Sequence, residues 1–255
     1  MTYCLGILTC HGLVMAADSR TNAGVDYIST YRKLFDFSVP GERVLLLATS
    51  GNLSVTQAVI TGMERDIELA LEPNLHTLSD LYAISRYVGS KTRRIQEQDR
   101  PWLEKDGIDF SCSLLLGGQI QNQHPGLFLI YSQGNCIHAT AETPFLQIGE
   151  TKYGKPILDR TLTYTSSLDQ AAKCALLSLD STMKSNISVG PPLDLVMYVA
   201  GSLKIQHRLR LHTRNPYLVK IRQGWEQSLR QAFQDMPDIE WGLQPNSGED
   251  AADLS

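Results

Sequence analysis

Several features that define common protein classes are absent from this sequence of 255 residues. No stretch approaches the roughly 18 consecutive apolar residues of a transmembrane helix, and residues 1–6 lack the charged leader of a secretion signal. Basic residues are not in excess, because 23 Lys and Arg face 27 Asp and Glu, which argues against binding to nucleic acid or to an anionic membrane. The five cysteines form no C-x-x-C pair and no zinc spacing with histidine. We therefore expect free thiols in a reducing compartment and a cytoplasmic protein.

The hydrophobic content of 42% and charged content of 20% are typical of a globule with a substantial core. Short apolar runs bounded by turn residues predict strands over 2–8, 13–17, 32–37, 44–49, 111–117, 127–131 and 193–200. Apolar residues at three- and four-residue intervals predict a helix over 55–71, a second helix that starts at Thr77 or Ser79 and runs to about Gln96, and further helices over 153–160, 168–184 and 218–233. We expect Pro101 to end any continuation of the second helix.

Strands and helices that come in runs along the chain indicate an α+β fold. Two packed sheets with helices outside each would bury all the apolar strands. No repeat or linker divides the chain, so we expect a single domain over 1–245, followed by a mobile acidic tail over 246–255. The basic run from Lys204 to Arg214 alternates like a strand and is interpreted as a solvated or subunit-facing edge.

Thr2 directly follows the initiator methionine, which is normally removed when the next residue is small. Its removal would leave one residue with a hydroxyl group and a free α-amine. Such an amine has a pKa of about 7.7–8.0 and can accept the proton of the hydroxyl near neutrality. Many ordinary proteins also begin with Met-Thr, so this position alone decides nothing.

Two charged residues are expected close to Thr2. If the first two strands form a hairpin that turns near Cys10-His11 or His11-Gly12, Asp18 comes to lie beside the first residues. Lys33 opens the next strand and could pair with Asp18. On the sequence alone, Asp18 is equally well explained as a turn-forming residue, and Lys33 as a solvated surface lysine.

The stretch Gly-Leu-Val-Met-Ala-Ala-Asp-Ser-Arg at 12–20 resembles the signature of catalytic proteasome β subunits, at the same distance from Thr2. Lys33 falls where that family has its catalytic lysine, although one residue closer to Gly24 than is usual. Thr-Ser-Gly at 49–51 resembles the family's Ala-Gly-Gly turn, whose middle N–H points into the oxyanion hole.

Within the superfamily, Thr-Asn-Ala-Gly-Val-Asp at 21–26 and the lack of a propeptide are most similar to the bacterial ancestral β-subunit group, Anbu. Two positions depart from the proteasome pattern. Glu150 follows Gly149 where proteasomes have serine, and Ser185 stands where an aspartate of an Asp-x-x-Ser-Gly pattern would support the terminal amine. Ser188 matches the serine of that pattern. Glu150 is either a replacement partner for the amine or a carboxylate at a helix start.

The resemblance implies a four-layer αββα sandwich of the N-terminal-nucleophile hydrolase type. It also implies peptide hydrolysis through an acyl-enzyme on Thr2, without a metal or organic cofactor. Thr2 would attack the peptide, and its α-amine or Lys33 would take the proton. The remaining implied site residues are Asp18, which holds Lys33, Ser50, whose N–H binds the oxyanion, and Ser188, which supports the amine.

The same resemblance implies self-association into a large homo-oligomer that acts on peptides or unfolded proteins. Two alternatives stay open at this point. One is a non-catalytic assembly subunit that keeps the fold, which Glu150 and Ser185 favour. The other is an N-terminal-nucleophile amidase for a small molecule, which would need a closed pocket in each subunit.

Overall fold

Strands and helices alternate in runs along the chain, as an α+β fold requires. The computed structural model describes residues 1–22, 28–239 and 241. In this part of the chain the strands are β1 (Tyr3–Thr9), β2 (Gly12–Asp18), β3 (Arg20–Asn22), β4 (Ile28–Thr30), β5 (Leu34–Asp36), β6 (Arg43–Gly51), β7 (Cys112–Ile120), β8 (Gly126–Ile130), β9 (Cys136–His138), β10 (Phe145–Gly149), β11 (Leu193–Val199) and β12 (His207–Leu211). The helices are α1 (Leu53–Glu68), α2 (Leu81–Lys105), α3 (Lys155–Thr161), α4 (Leu168–Ser185) and α5 (Pro216–Gln234).

Two five-stranded antiparallel sheets form the centre of the fold. The first has the order β10-β1-β2-β11-β12 and the second the order β5-β6-β7-β8-β9, while β3 and β4 form a separate two-stranded ribbon. The sequence analysis did not predict strands β3, β4, β9 and β10. The residues before β10, which include Thr143 and Pro144, show no strand pattern. Strand β10 is fixed by its pairing with β1, far away along the chain, which local patterns do not record. The other three strands have only three residues each, too few to show a clear alternation.

Alternation along the strands produces four layers. On β1, Tyr3, Leu5 and Ile7 face a core shared with α3, α4 and α5. Cys4 and Leu8 occupy the alternate positions of the strand and face the second sheet, in a core that lies between the two sheets. The opposite face of the second sheet packs against α1 and α2. The αββα sandwich implied by the resemblance is therefore confirmed.

The second helix differs from the prediction that it would end before Pro101. Helix α2 continues through Pro101 to Lys105. Pro101 and Glu97, whose carbonyl loses its intrahelical donor there, are both exposed, so water can satisfy that carbonyl. Leu103, beyond the proline, packs against the core between the second sheet and its helices. This contact stabilises the last turns of the helix.

Side chains cap the starts of α1, α2 and α4. Helix α2 begins later than predicted, at Leu81, because Asp80 accepts a hydrogen bond from the N–H of Ala83 and caps it. Asn52 accepts a hydrogen bond from the N–H of Val55 and caps α1, and Ser167 forms a capping box with Gln170 at α4. Pro156 lies in the first turn of α3, where a helix tolerates proline. Local sequence therefore determines where these helices begin.

Strand β12 lies at the edge of the first sheet, within the basic run that the sequence indicated as an edge. Arg208 forms an ion pair with Asp36 at 2.6 Å, and Arg210 forms one with Asp194 at 2.9 Å. None of the helices in the described residues is long and apolar enough to cross a membrane. Gly24 and the expected tail over 246–255 lie outside the described residues.

The register of the hairpin places the start of the chain. Cys4 pairs with Ala17 and Thr9 with Gly12, so the turn is centred on Cys10-His11, one of the two registers expected from the sequence. On its other edge β1 pairs with β10, and Tyr3 stands opposite Gly149. The first residues of the chain are therefore held between β2 and β10.

Gly149 allows this close approach. Its φ is +83°, and a Cβ at this position would lie 2.0 Å from the backbone oxygen of Thr2. Gly41 has the same φ of +83°, but its added Cβ would meet nothing within 4 Å. We expect Gly41→Ala to cost about 1–2 kcal/mol of unfolding free energy through backbone strain alone. Gly149→Ala should cost about 1–3 kcal/mol more, because the methyl group must displace Thr2.

Urea unfolding of the two variants, compared with wild type, measures this difference. Equal losses of stability in Gly41→Ala and Gly149→Ala would show that the contact between Gly149 and Thr2 does not constrain the N-terminus.

Candidate active site

The predicted site residues gather at one end of the sandwich because several strands begin or end there. Thr2 precedes β1, Asp18 ends β2, Lys33 precedes β5, and Ser50 is next to the last residue of β6. A cavity of about 370 Å³ opens at this end. It is lined by Met1, Thr2, Thr21, Lys33, Thr49, Ser50, Gly51, Leu53, Thr56, Gly149 and Glu150.

Asp18 and Lys33 form a buried ion pair. The Lys33 Nζ lies 2.8 Å from Asp18 Oδ1, and their side chains are 5% and 0% exposed. Lys33 also donates to the backbone oxygen of Arg20 at 2.5 Å. An ammonium group has three donors. Within the described residues two of them are used, which leaves one N–H of Lys33 for a group in the cavity that this residue lines.

The Asp18 carboxylate is held by backbone donors as well as by Lys33. Its Oδ1 accepts from the N–H of Tyr3 at 3.0 Å. Its Oδ2 accepts from the N–H groups of Arg20 at 3.2 Å and Gly190 at 3.1 Å. Burial raises the pKa of the Asp18 carboxyl, while Lys33 and the N–H groups of Tyr3 and Gly190 counteract part of this effect.

Lys33 is tied to the segment expected to bind the oxyanion. Its backbone oxygen accepts from the N–H of Thr49 at 2.9 Å, directly before Ser50. Gly51 follows with a φ of +112°, and an added Cβ there would lie 2.3 Å from the backbone oxygen of Ser111. Only glycine fits this turn, so the resemblance of 49–51 to a glycine-containing turn has a steric cause.

Helix α1 begins two residues after Gly51, and its first turn borders the cavity. Leu53 and Thr56 line the cavity together with Ser50. The N-terminus of a helix carries a partial positive charge and favours an anion nearby. The sequence prediction started this helix at Val55 and so missed its contribution to the electrostatics of the site.

Thr2 is fixed by its backbone on both sides. The backbone oxygen of Thr2 accepts from the N–H of Glu150 at 2.7 Å, and the next residue, Tyr3, donates to Asp18. Thr2 is 9% exposed, whereas Met1 is 67% exposed. Thr2, the nucleophile expected from the sequence, is therefore packed into the protein, whereas Met1 extends into solvent.

The loop after α4 is hydrogen-bonded to the segment that follows β2. The backbone oxygen of Gly190 accepts from the N–H groups of Ser19 and Arg20 at 3.4 and 3.2 Å, and Arg20 donates to the backbone oxygen of Ile187 at 2.7 Å. Ser188, expected to support the amine, donates its backbone N–H to the side chain of Asn186. A role for the Ser188 hydroxyl stays a prediction.

Glu150 and Asn186 are brought together across this loop. Glu150 is 7% exposed, and its Oε2 accepts from Asn186 Nδ2 at 2.9 Å. The sequence comparison drew attention to Glu150 but gave Asn186 no role. An asparagine directly after a predicted amphipathic helix is a signal for a helix C-terminus, and Asn186 is the C-cap of α4. Its contact with Glu150 depends on the tertiary fold.

Among the described residues, no group of three or more His, Cys, Asp and Glu side chains is arranged to hold a metal ion.

An αββα sandwich with a threonine at position 2 beside a buried Asp–Lys pair defines the class of N-terminal-nucleophile hydrolase folds. The sequence pattern of the proteasome subunit family matches residues 2–197. The chain belongs to this family, and its structural relatives place it with the bacterial Anbu type.

Two solved relatives support this placement. Anbu (ancestral beta-subunit) from Yersinia bercovieri is 44% identical, with 95% of this chain and 100% of that chain covered and a TM-score of 0.89. The helical assembly of the Anbu complex from Pseudomonas aeruginosa gives the same identity and coverage with a TM-score of 0.90. Proteasome subunit beta 2 from Pyrobaculum calidifontis is 24% identical over 200 residues, or 76% of this chain and 86% of that protein.

The ion pair predicts a stability effect that depends on pH. Lys33→Ala would leave Asp18 buried without its cation, which typically costs about 3–5 kcal/mol at neutral pH. Burial raises the pKa of Asp18 above its unfolded value, so the folded variant binds a proton that the unfolded chain releases. Its stability therefore falls as the pH rises from about 4 through the folded pKa. We expect a larger loss at pH 8 than at pH 5.

Urea unfolding of Lys33→Ala at both pH values measures this loss, with Lys152→Ala as the control. Lys152 is also near a carboxylate, but its side chain is 72% exposed, so its removal should cost well under about 1 kcal/mol. A loss for Lys33→Ala that is absent, or equal at the two pH values, would contradict the role of the buried carboxylate.

Proposed function

We propose that this chain is a threonine peptidase that hydrolyses peptide bonds through an acyl-enzyme on Thr2 after Met1 is removed. The observation that carries the proposal is the buried Asp18–Lys33 ion pair, whose lysine lines the same cavity as Thr2. A buried ion pair contributes little to stability compared with apolar packing. Its position beside a candidate nucleophile supports a role in chemistry.

The reaction follows from the groups in the site. The Thr2 hydroxyl attacks the peptide carbonyl, and its proton passes to the α-amine of Thr2, with the Lys33 ammonium favouring the developing alkoxide. The tetrahedral intermediate collapses with cleavage of the C–N bond, and the leaving amine takes the proton. Water then attacks the resulting ester, releases the acid product and restores the Thr2 hydroxyl. Asp18 keeps Lys33 in place.

The negative charge of the tetrahedral intermediate needs donors at the same end of the cavity. We assign this role to the backbone N–H of Ser50, supported by the N-terminus of α1. One such donor is typically worth about 3–4 kcal/mol of transition-state stabilisation. The close packing of Gly51 against Ser111 and the hydrogen bond from the N–H of Thr49 to the oxygen of Lys33 define the path of this segment.

A peptide epoxyketone tests for the free amine and the activated hydroxyl together. A terminal threonine presents both nucleophiles on adjacent carbons, so both can attack the reagent and close a ring. We expect one label per subunit that has lost Met1, mapped by mass spectrometry to Thr2. Thr2→Ala should give no label, and Asp18→Asn should slow labelling because Lys33 loses its partner.

Subunits that retain Met1 serve as an internal control, because they have no free amine on Thr2 and should remain unlabelled in the same intact-mass spectrum. Processed and folded subunits that refuse the label across varied peptide sequences would exclude the peptidase. The chain would then be assigned as a non-catalytic assembly subunit.

We also propose that the chain self-associates through α5. Apolar residues recur along this helix every three or four positions, and the first of them, Leu218, is fully buried in the core. Farther along the same helix, Leu229 is 50% exposed and Phe233 is 81% exposed. The stripe thus continues beyond the body of its own subunit, and exposed apolar surface of this kind marks protein contacts. The relative solved as a helical assembly favours a second copy as the partner.

A charge placed in this stripe should weaken the assembly. We expect Phe233→Glu to shift the wild-type oligomer to smaller species at equal concentration, as measured by analytical ultracentrifugation. Gln234→Glu is the matched control, because it places the same charge on the adjacent exposed residue and should leave the distribution unchanged. A wild-type protein that is monomeric at working concentration, or two variants that behave alike, would refute this assignment.

A further inference from the structure

Glu150 is a buried carboxylate beside the residue that becomes the N-terminus. Its backbone N–H donates to the Thr2 oxygen at 2.7 Å, directly after the β1–β10 ladder ends at Tyr3 and Gly149. Glu150 also lines the cavity together with Met1 and Thr2. The carboxylate therefore belongs to the wall of the site.

Glu150 does not act as the capping carboxylate of a helix. Helix α3 begins at Lys155, and its N-cap residue, Gly154, lies four residues after Glu150. In the part of the chain that the structure describes, no side chain makes a capping hydrogen bond at that helix start. Of the two interpretations that the sequence left open, the geometry favours a partner for the terminal amine.

Asn186 orients the carboxylate, and the direction of its amide is fixed by a second hydrogen bond. The Asn186 Oδ1 accepts from the backbone N–H of Ser188 at 3.0 Å, so Nδ2 must be the atom that faces Glu150. That nitrogen donates to Oε2 at 2.9 Å. The loop after α4 thereby holds one carboxylate oxygen and leaves Oε1 for another partner.

The charge of Glu150 is only weakly compensated. In the described part of the chain, the cation within 4 Å of it is Lys152, at 3.6 Å from Oε1 and 72% exposed. An ion pair with such an exposed lysine is worth little, whereas a buried carboxylate needs a close cation or several donors. Removal of Met1 creates a new ammonium group on Thr2. The sulfur of Met1 lies 3.7 Å from Asn186 Nδ2, so its departure frees space beside this pair.

We propose that Glu150 binds the α-ammonium group of processed Thr2, and that Asn186 is the positioning residue that holds Glu150 for this contact. The proposal deepens the peptidase proposal, because the same amine is the base in that reaction. The contact itself requires only that Met1 has been removed, so it can be tested without any hydrolysis.

A carboxylate next to an ammonium group raises the pKa of that amine, typically by about 1–3 units. In Glu150→Gln the neighbour of the amine has nearly the same shape but no longer carries a negative charge. We expect the pKa of the Thr2 amine to fall by about one unit in this variant. Asn186→Ala should lower it by less, because the carboxylate remains but is no longer held.

The pKa is measured on processed protein from the pH dependence of cyanate carbamylation at the terminal amine, read by peptide mass spectrometry. Glu104→Gln, the same exchange at an exposed position on α2, is the matched control and should leave the pKa unchanged. An unchanged pKa in Glu150→Gln would overturn the proposal. If that variant does not fold, an unchanged pKa in Asn186→Ala does so.

Peptide hydrolysis separates this proposal from the peptidase proposal. If the amine is the base, the acid limb of kcat/KM in Glu150→Gln should move to lower pH by the same amount as the carbamylation profile. A shifted carbamylation profile in a protein that hydrolyses no peptide would support the contact and refute the peptidase. Hydrolysis with an unshifted profile would refute the contact alone.

Discussion

The Asp18–Lys33 ion pair joins the two sheets at the end of the sandwich where the site lies. Asp18 ends a strand of the first sheet, and Lys33 precedes a strand of the second. Both are almost completely excluded from water, so the surrounding backbone must supply what water no longer can. The N–H groups of Tyr3, Arg20 and Gly190 and the oxygen of Arg20 do this. The local path of four segments is thereby determined by one pair of charges.

Such an arrangement is costly for a protein that needs only stability, because apolar residues of similar volume would usually pack at least as well. It is useful where charge develops during a reaction, since fixed dipoles and charges in a dry site need no reorganisation. The same end of the fold holds Thr2, the tight turn at Gly51 and the N-terminus of α1. Fold and electrostatics therefore converge on one cavity.

Most of the fold could be predicted from local signals. The first hairpin, to within one residue of its turn, and the α+β class follow from patterns within a few residues of each other, as do the caps of α1 and α4. The pairing of Asp18 with Lys33 was expected from the hairpin and the family resemblance. Strand β10 and Asn186 could not be placed in the same way, because each acquires its role from contacts more than 30 residues away: β10 pairs with β1 and Asn186 binds Glu150. The continuation of α2 through Pro101 could not be predicted either, because it depends on the exposure of Glu97, which only the folded structure shows.

The two carboxylates beside Thr2 are compensated differently, and this difference gives processing a physical meaning. Asp18 already has a buried cation and three backbone donors while Met1 is in place. Glu150 has a half-buried amide donor and, within the described residues, only an exposed lysine within 4 Å. A free Thr2 amine would supply the cation that Glu150 lacks, so loss of Met1 would do more than uncover a nucleophile. It would complete the charge balance of the site and hold the new terminus where the hydroxyl can use it, which couples maturation to the geometry required for catalysis.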